Sequence, residues 1–224
     1  MDFLNTDFNF LEALIWLVVV FLSIAFHEYC HGWAANELGD DTAEREGRLT
    51  LNPLKHIDPL GSIFLPLFLY FVGSPFLFGW AKPVPYNPYN LRHKRWGPAL
   101  VALAGPAANF IIAVFGAILF RIYYHGNFIS PASVAGSAVN LVQFFALLSI
   151  INISLAVFNL VPIPPLDGSK VLAAFLPEVG RDLFNVLERL GPFLVLMLFT
   201  IFFSAVAGVL GGIIFAIFKF LAGI

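Results

Sequence analysis

Five stretches of the chain, about 11–35, 60–80, 97–121, 138–161 and 191–222, are nearly unbroken runs of apolar residues. Each is about as long as the ~20 residues a helix needs to cross the ~30 Å hydrocarbon core of a bilayer. In hydrocarbon no water satisfies a peptide N–H or C=O, so such runs fold as helices. The expected fold is therefore all-α: a polytopic membrane protein of about five or six transmembrane helices, forming one integral-membrane domain over 1–224. Composition agrees, at 59% hydrophobic and 12% charged residues, where soluble domains hold about half and a quarter. The net charge of -2 has no basic excess, so no nucleic-acid partner is expected. Cys30 is the only cysteine, which excludes an intrachain disulfide framework. The opening MDFLNTDFNFLEAL has neither the basic n-region nor the small-residue cleavage site of a secretory signal, so 11–35 reads as a retained span.

Two segments depart from simple spans. The 191–222 run is too long for one crossing and contains AGVLGG at 207–212, which predicts two helices meeting near Ser204 to Gly212. The 60–80 run contains Pro66 and a Gly73-Ser74-Pro75 break, both of which interrupt helical hydrogen bonding. Charge distribution favours a re-entrant hairpin there. With the N-terminus outside, a re-entrant 60–80 leaves Arg45, Arg48, Lys55, Lys82, Arg92, Lys94 and Arg95 in one cytoplasmic region. A full crossing would move Arg45, Arg48 and Lys55 outside, against the positive-inside rule.

The first apolar run ends in IAFHEYCHGW, residues 24–33. His27 and His31 are four apart, so a helix puts them on one face about 5–6 Å apart, suited to one metal ion. Glu28 lies to the side, where it would hold and deprotonate a water. This is the H-E-x-x-H pattern of zinc hydrolases, in which zinc acidifies its water. At 1.5 Å per residue His27 lies about 24 Å along the helix from Leu11, below the membrane interface. Ionisable residues at that depth are costly and mark functional sites. The bland alternative is a hydrogen-bonded structural pair. Cys30 reads as a small packed residue. His56, His93 and His125 fall in predicted loops and read as solvated, and Lys94 and Arg95 as anchors for anionic lipid headgroups.

Catalytic zinc takes three protein ligands and keeps one position open. The segment AVFNLVPIPPLDGSKV, 156–171, supplies the third candidate. Pro162, Pro164 and Pro165 cannot continue a regular helix, and they hold Asp167 on an extended stretch. The alternative is a loop acid that caps the helix at SKVLAAFL.

HEYCH in a membrane helix followed by Asn159-Leu-Val-Pro162-Ile-Pro-Pro165-Leu-Asp167-Gly168 resembles the site-2 protease family of intramembrane zinc metalloproteases, in its compact form without PDZ or CBS domains. Between the two motifs, Gly105-Pro106 and Asn109 are similar to the family's Gly-Pro-x-x-Asn segment, and FGWAKPVPYNPYNLR at 78–92 to a loop of its compact members. The resemblance implies one Zn²⁺ held by His27, His31 and Asp167, with Glu28 as general base. It implies that the helices carrying HExxH, GPxxN and LDG alternate in direction, which also favours a re-entrant 60–80. The helix is expected to break at the LDG motif. Asn159 and Asn109 are candidates for an oxyanion or substrate-positioning role, since such donors are often amides. The bland alternative for each is an amide linking helices in lipid.

The expected activity is hydrolysis of peptide bonds within or near transmembrane segments of membrane-protein substrates. Lipids are the other expected partners, and the setting is the cell membrane with the site towards the cytoplasm. A substrate would be unwound and would lie as an extended strand along Lys82 to Tyr89. Two rivals remain open at this point: a zinc transporter, which would need ligands strung along a path and has no use for Glu28, and an inactive scaffold that binds helices.

Overall fold

A computed structural model describes residues 10–74, 79–125 and 141–224. Regular structure among them is helical: α1 (Phe10–Glu37), α2 (Thr42–Arg45), α3 (Leu65–Phe71), α4 (Gly97–His125), α5 (Leu141–Asn159), α6 (Asp167–Phe175), α7 (Glu178–Arg189) and α8 (Gly191–Ala222). Among the described residues, four helical stretches are long and apolar enough to cross a membrane: Leu14–Glu37, Gly97–His125, Leu141–Asn159 and Ser204–Ala222. The chain is a multi-pass membrane protein.

The 191–222 run does not split. α8 is one helix of 32 residues that passes through Gly208, Gly211 and Gly212 without a break. In water such glycines would loosen the backbone. In hydrocarbon a released N–H or C=O finds no new partner, so the helix holds.

The 60–80 segment turns back on itself. Asp58 caps a π-helical turn, Pro59–Phe64, by accepting from the N–H groups of Leu60 and Gly61 at 3.0 and 2.7 Å. The turn runs into α3, and the two together rise about 20 Å, short of the ~30 Å core. Trp80 then lies beside the starting point: its N–H donates to Gly61 O at 3.2 Å, and Ser62 Oγ donates to Trp80 O at 2.8 Å. The indole packs so closely on Gly61 that a Cβ there would collide with it. The described ends of the segment, Gly61 and Trp80, thus lie together on one side, which is the re-entrant arrangement.

α4 is the hub and packs against α1, α5, α6 and α8. Its direction opposes that of both neighbours. From Ser23 to His31 on α1 the partners on α4 run backwards, from Asn109 to Val101. Asn152 and Ser149 on α5 face Asn109 and Ala113. The ends of α1 and α5 and the start of α4 therefore share one level. α1 stops at Gly39, whose φ of 105° is a left-handed conformation open to glycine.

At that level irregular chain covers the helix ends. Asp40 has no exposed surface. It accepts from Thr42 Oγ1 at 2.6 Å, the Asn87 N–H at 2.6 Å and Asn90 Nδ2 at 2.8 Å, tying the 79–92 segment to the end of α1. Arg48 Nη2 donates to the carbonyls of Lys82 and Pro83 at 3.0 and 3.2 Å.

Candidate metal centre

α5 ends at Asn159, and the proline-rich turns that follow deliver Asp167 to the start of α6. There it meets the α1 histidines. His27 Nε2 and His31 Nε2 lie 3.2 and 3.3 Å from Asp167 Oδ2 and 2.9 Å from each other. A tetrahedral ion with bonds of about 2.0–2.2 Å sets its donors roughly 3.3–3.6 Å apart, close to the two distances to Asp167 and somewhat wider than the distance between the histidines.

The protonation pattern makes the triangle a cation site. His31 Nδ1 lies 2.7 Å from the carbonyl oxygen of Val101, which can only accept, so Nδ1 carries the proton. His27 Nδ1 faces Asn109 Oδ1 at 2.5 Å in the same way. In the neutral rings both Nε2 atoms then present lone pairs to each other and to a carboxylate. Asp167 Oδ2 is buried and has no hydrogen-bond donor among the described residues. Three lone pairs converging in a buried place are stable only around a positive charge. The residues fit a metal ion on this ground.

Room for the two rings comes from α4. A Cβ at Gly105 would lie 2.5 Å from His31 Nε2 and 2.6 Å from His27 Cε1. Glu28 completes the group, its carboxylate within 4.8 Å of ligand atoms on both histidines. One of its oxygens accepts from the Val84 N–H at 2.9 Å, so the covering segment orients it. Cys30 is half-buried and does not belong to the cluster.

The group opens on a cavity of about 720 Å³, lined among others by Leu17, Phe21, Trp80, Tyr86, Asn159 and Lys170. Asn159 lines it, with Nδ2 donating to Leu155 O one turn back at 2.9 Å. Asn109 does not line it and has no exposed surface. Its Nδ2 donates to Asn152 Oδ1 at 2.8 Å and to Ser23 O at 3.3 Å. Its donors are thus already engaged away from the cavity.

His56 departs from its reading as a solvated loop residue. It is 3% exposed and lines the cavity, because the 3-10 turn Pro53–His56 folds under the covering segment. Its Nε2 donates to Thr50 O at 2.9 Å. A histidine in a polar loop carries no periodic signal that would have revealed this. Ser23 and Asn152 were also missed. Their one signal was a polar side chain inside an apolar span, which in lipid asks for a partner.

Comparison with known proteins agrees with this chemistry. The chain is 37% identical over 183 residues to YwhC of Bacillus subtilis, named a zinc metalloprotease, covering 82% of this chain and 78% of that one. It is 35% identical over 164 residues to Rip2 of Mycolicibacterium smegmatis, likewise named, covering 72% of this chain and 58% of the relative. It is 31% identical over 166 residues to MJ0611 of Methanocaldococcus jannaschii, again named a zinc metalloprotease, covering 74% and 73%. No solved structure matches. Peptidase family M50 matches residues 15–203. The helical membrane fold and the zinc-competent histidine cluster thus have a common source: this chain belongs to peptidase family M50, the site-2 proteases, and is a zinc metalloprotease.

Proposed function

We propose that the protein is an intramembrane endopeptidase that cuts membrane-protein substrates within or near their transmembrane segments, the whole of 1–224 acting as one integral-membrane domain. The observation that carries this reading is the meeting of His27, His31 and Asp167 beside Glu28 in a cavity among membrane-spanning helices. His27, His31 and Asp167 hold the zinc. When bound, zinc supplies a Lewis acid that polarises the scissile carbonyl and makes water more acidic.

Glu28 is the general base. The Val84 N–H holds one carboxylate oxygen, which leaves the other lone pairs to take a proton from the attacking water. The water oxygen bonds to the carbonyl carbon, the C–N bond breaks, and Glu28 returns the proton to the departing nitrogen. Asn159, on the cavity wall, donates to the carbonyl oxygen as charge builds there. A helical substrate hides its peptide bonds and must unwind to reach these groups. The Lys82 to Tyr89 segment, whose Pro83, Val84 and Tyr86 line the cavity, gives the unwound strand a template. The site faces the cytoplasm in a cell membrane, since Arg45, Arg48, Lys55, Lys82, Arg92, Lys94 and Arg95 lie in the covering segments on the side of the metal centre.

The test is zinc per chain and cleavage of a transmembrane test substrate in detergent, for wild type, Glu28→Gln and Asp167→Ala. Glu28→Gln is expected to keep zinc and lose cleavage, and Asp167→Ala to lose both. Cleavage by Glu28→Gln at the wild-type rate would remove Glu28 from the mechanism. Cleavage confined to soluble peptides would remove the intramembrane substrate.

A further inference from the structure

We infer that Asn152 and Ser23, which do not touch the metal centre, set its affinity for metal through Asn109, by fixing which nitrogen of His27 carries the proton. The inference rests on the proposed role of His27 as a zinc ligand.

The chain of groups crosses three helices. Asn152 on α5 donates from Nδ2 to Leu148 O and to Ser23 Oγ, both at 2.9 Å. Leu148 O is a backbone carbonyl and can only accept, so this end of the Asn152 amide is the nitrogen. Its oxygen therefore faces α4 and accepts from Asn109 Nδ2 at 2.8 Å. The other proton of that nitrogen points to Ser23 O at 3.3 Å, again a carbonyl that can only accept. Asn109 is left with its oxygen towards His27 Nδ1, 2.5 Å away. His27 Nδ1 must then carry the proton, and the Nε2 lone pair is turned towards His31 and Asp167.

The polarity of the chain is thus dictated by two backbone carbonyls. Rotating the Asn109 amide by half a turn would set its oxygen against Ser23 O and Asn152 Oδ1. Asn109 and Asn152 have no exposed surface and Ser23 is 3% exposed, so water does not relieve that contact. The rotated amide would also present N–H to Nδ1, which moves the histidine proton to Nε2 and blocks ligation. Partners that hold a metal-bound histidine in its tautomer typically change metal affinity about 10–100-fold. Asn109 and Asn152 are positioning residues in this sense.

The experiment measures zinc affinity by chelator competition on purified protein in detergent, with the visible absorption of the cobalt-loaded protein as a second readout. Asn152→Leu removes the nearer of the two acceptors that orient Asn109, leaving Ser23 O at 3.3 Å, and is expected to weaken zinc about 10–100-fold. Adding Asn109→Asp is expected to restore affinity and the cobalt spectrum, because a carboxyl group whose O–H donates to Ser23 O keeps its carbonyl oxygen to accept from Nδ1–H. Asn152→Ala carries the same prediction with less crowding, should the leucine variant not fold. A folded Asn152→Leu or Asn152→Ala protein within twofold of wild type overturns the inference. So does a weakened variant that Asn109→Asp fails to restore, since the loss then comes from packing. Wild type that takes up no zinc overturns the metal reading and this inference together. Wild type that binds zinc beside an unaffected Asn152 variant overturns this inference alone.

Discussion

α4 and α8 look alike as sequences and behave oppositely in the fold. Their spanning stretches have mean hydropathies of 2.0 and 2.2, and both contain glycines. Yet 44% of the α4 window is buried against 11% of the α8 window. The glycines tell them apart. Gly105 and Gly116 of α4 are points of contact: a Cβ at Gly105 would meet His31 at 2.5 Å, and one at Gly116 would meet the Ser149 nitrogen at 3.1 Å. Around Gly208, Gly211 and Gly212 of α8 such an atom would meet nothing within 4 Å. Hydropathy places a helix in the membrane. Small residues opposite polar ones place it at the centre of the protein, because there two backbones close in on chemistry that must be shielded.

The sharpest way to break this comparison is one methyl group on each helix. Gly105→Ala is expected to push the histidine rings apart, since His31 is pinned by Val101 O and cannot swing away freely. Zinc content should fall below stoichiometry and cleavage by about 100-fold or more, as a displacement of ~1 Å costs about that much. Gly208→Ala should leave both unchanged. Equal effects at the two sites would end the distinction between core and periphery.

A smaller effect is expected from bulk alone. Gly116→Leu should destabilise by about 1–3 kcal/mol in thermal unfolding, through overpacking against α5. Gly211→Leu, facing open space, should stay within about 0.5 kcal/mol of wild type.

The covering segments offer a second contrast, because they are held by side chains rather than by helix packing. Asp40→Ala strands the Asn87 N–H and the Asn90 amide, and should cost about 2–3 kcal/mol. It should also raise proteolysis between 79 and 92, with the spanning helices intact. Burial favours protonation of Asp40, but the donors Thr42, Asn87 and Asn90 outweigh it and hold the carboxyl below its ordinary value. A lowered value in the folded state means that the clasp contributes fully above the unfolded carboxylate range, near pH ~4. Its contribution fades as the pH falls through the folded value. Limited proteolysis against pH should show the 79–92 segment opening on the acid side and Asp40→Asn lacking that response. The smallest effect belongs to Gly208→Ala, Gly211→Ala and Gly212→Ala, each expected within about 0.5 kcal/mol of wild type in thermal unfolding, since an added Cβ there meets nothing within 4 Å.

Much of the candidate metal centre was legible in the chain because its chemistry is periodic or punctuated. His27 and His31 reveal themselves by a spacing of four in a span, and Asp167 by the prolines before it. The hairpin at 60–80 was legible from Pro66 and Gly73-Ser74-Pro75, and the charge pattern agreed. The supports were not. Ser23 and Asn152 are single polar residues that lie 129 positions apart along the chain. No local pattern encodes such a pairing. His56 was misread because a loop in water and a loop folded over a cavity have the same composition. The break expected in α8 failed because glycine weakens a helix by exposing its backbone to water, and that route is closed in lipid.

The order of the converging groups along the chain has a consequence for synthesis. His27 and His31 emerge first, and Gly105 follows to make room for their rings. Asp167 arrives only after about three-quarters of the 224 residues have been made. Until then the ribosome has put two histidines and a glutamate into the membrane without the proposed third donor, so the growing chain carries an unfinished blade past its neighbours. On the proposed ligand set, peptide-cutting power arrives late in the making of the molecule, and a nascent chain that stops short of Asp167 lacks it.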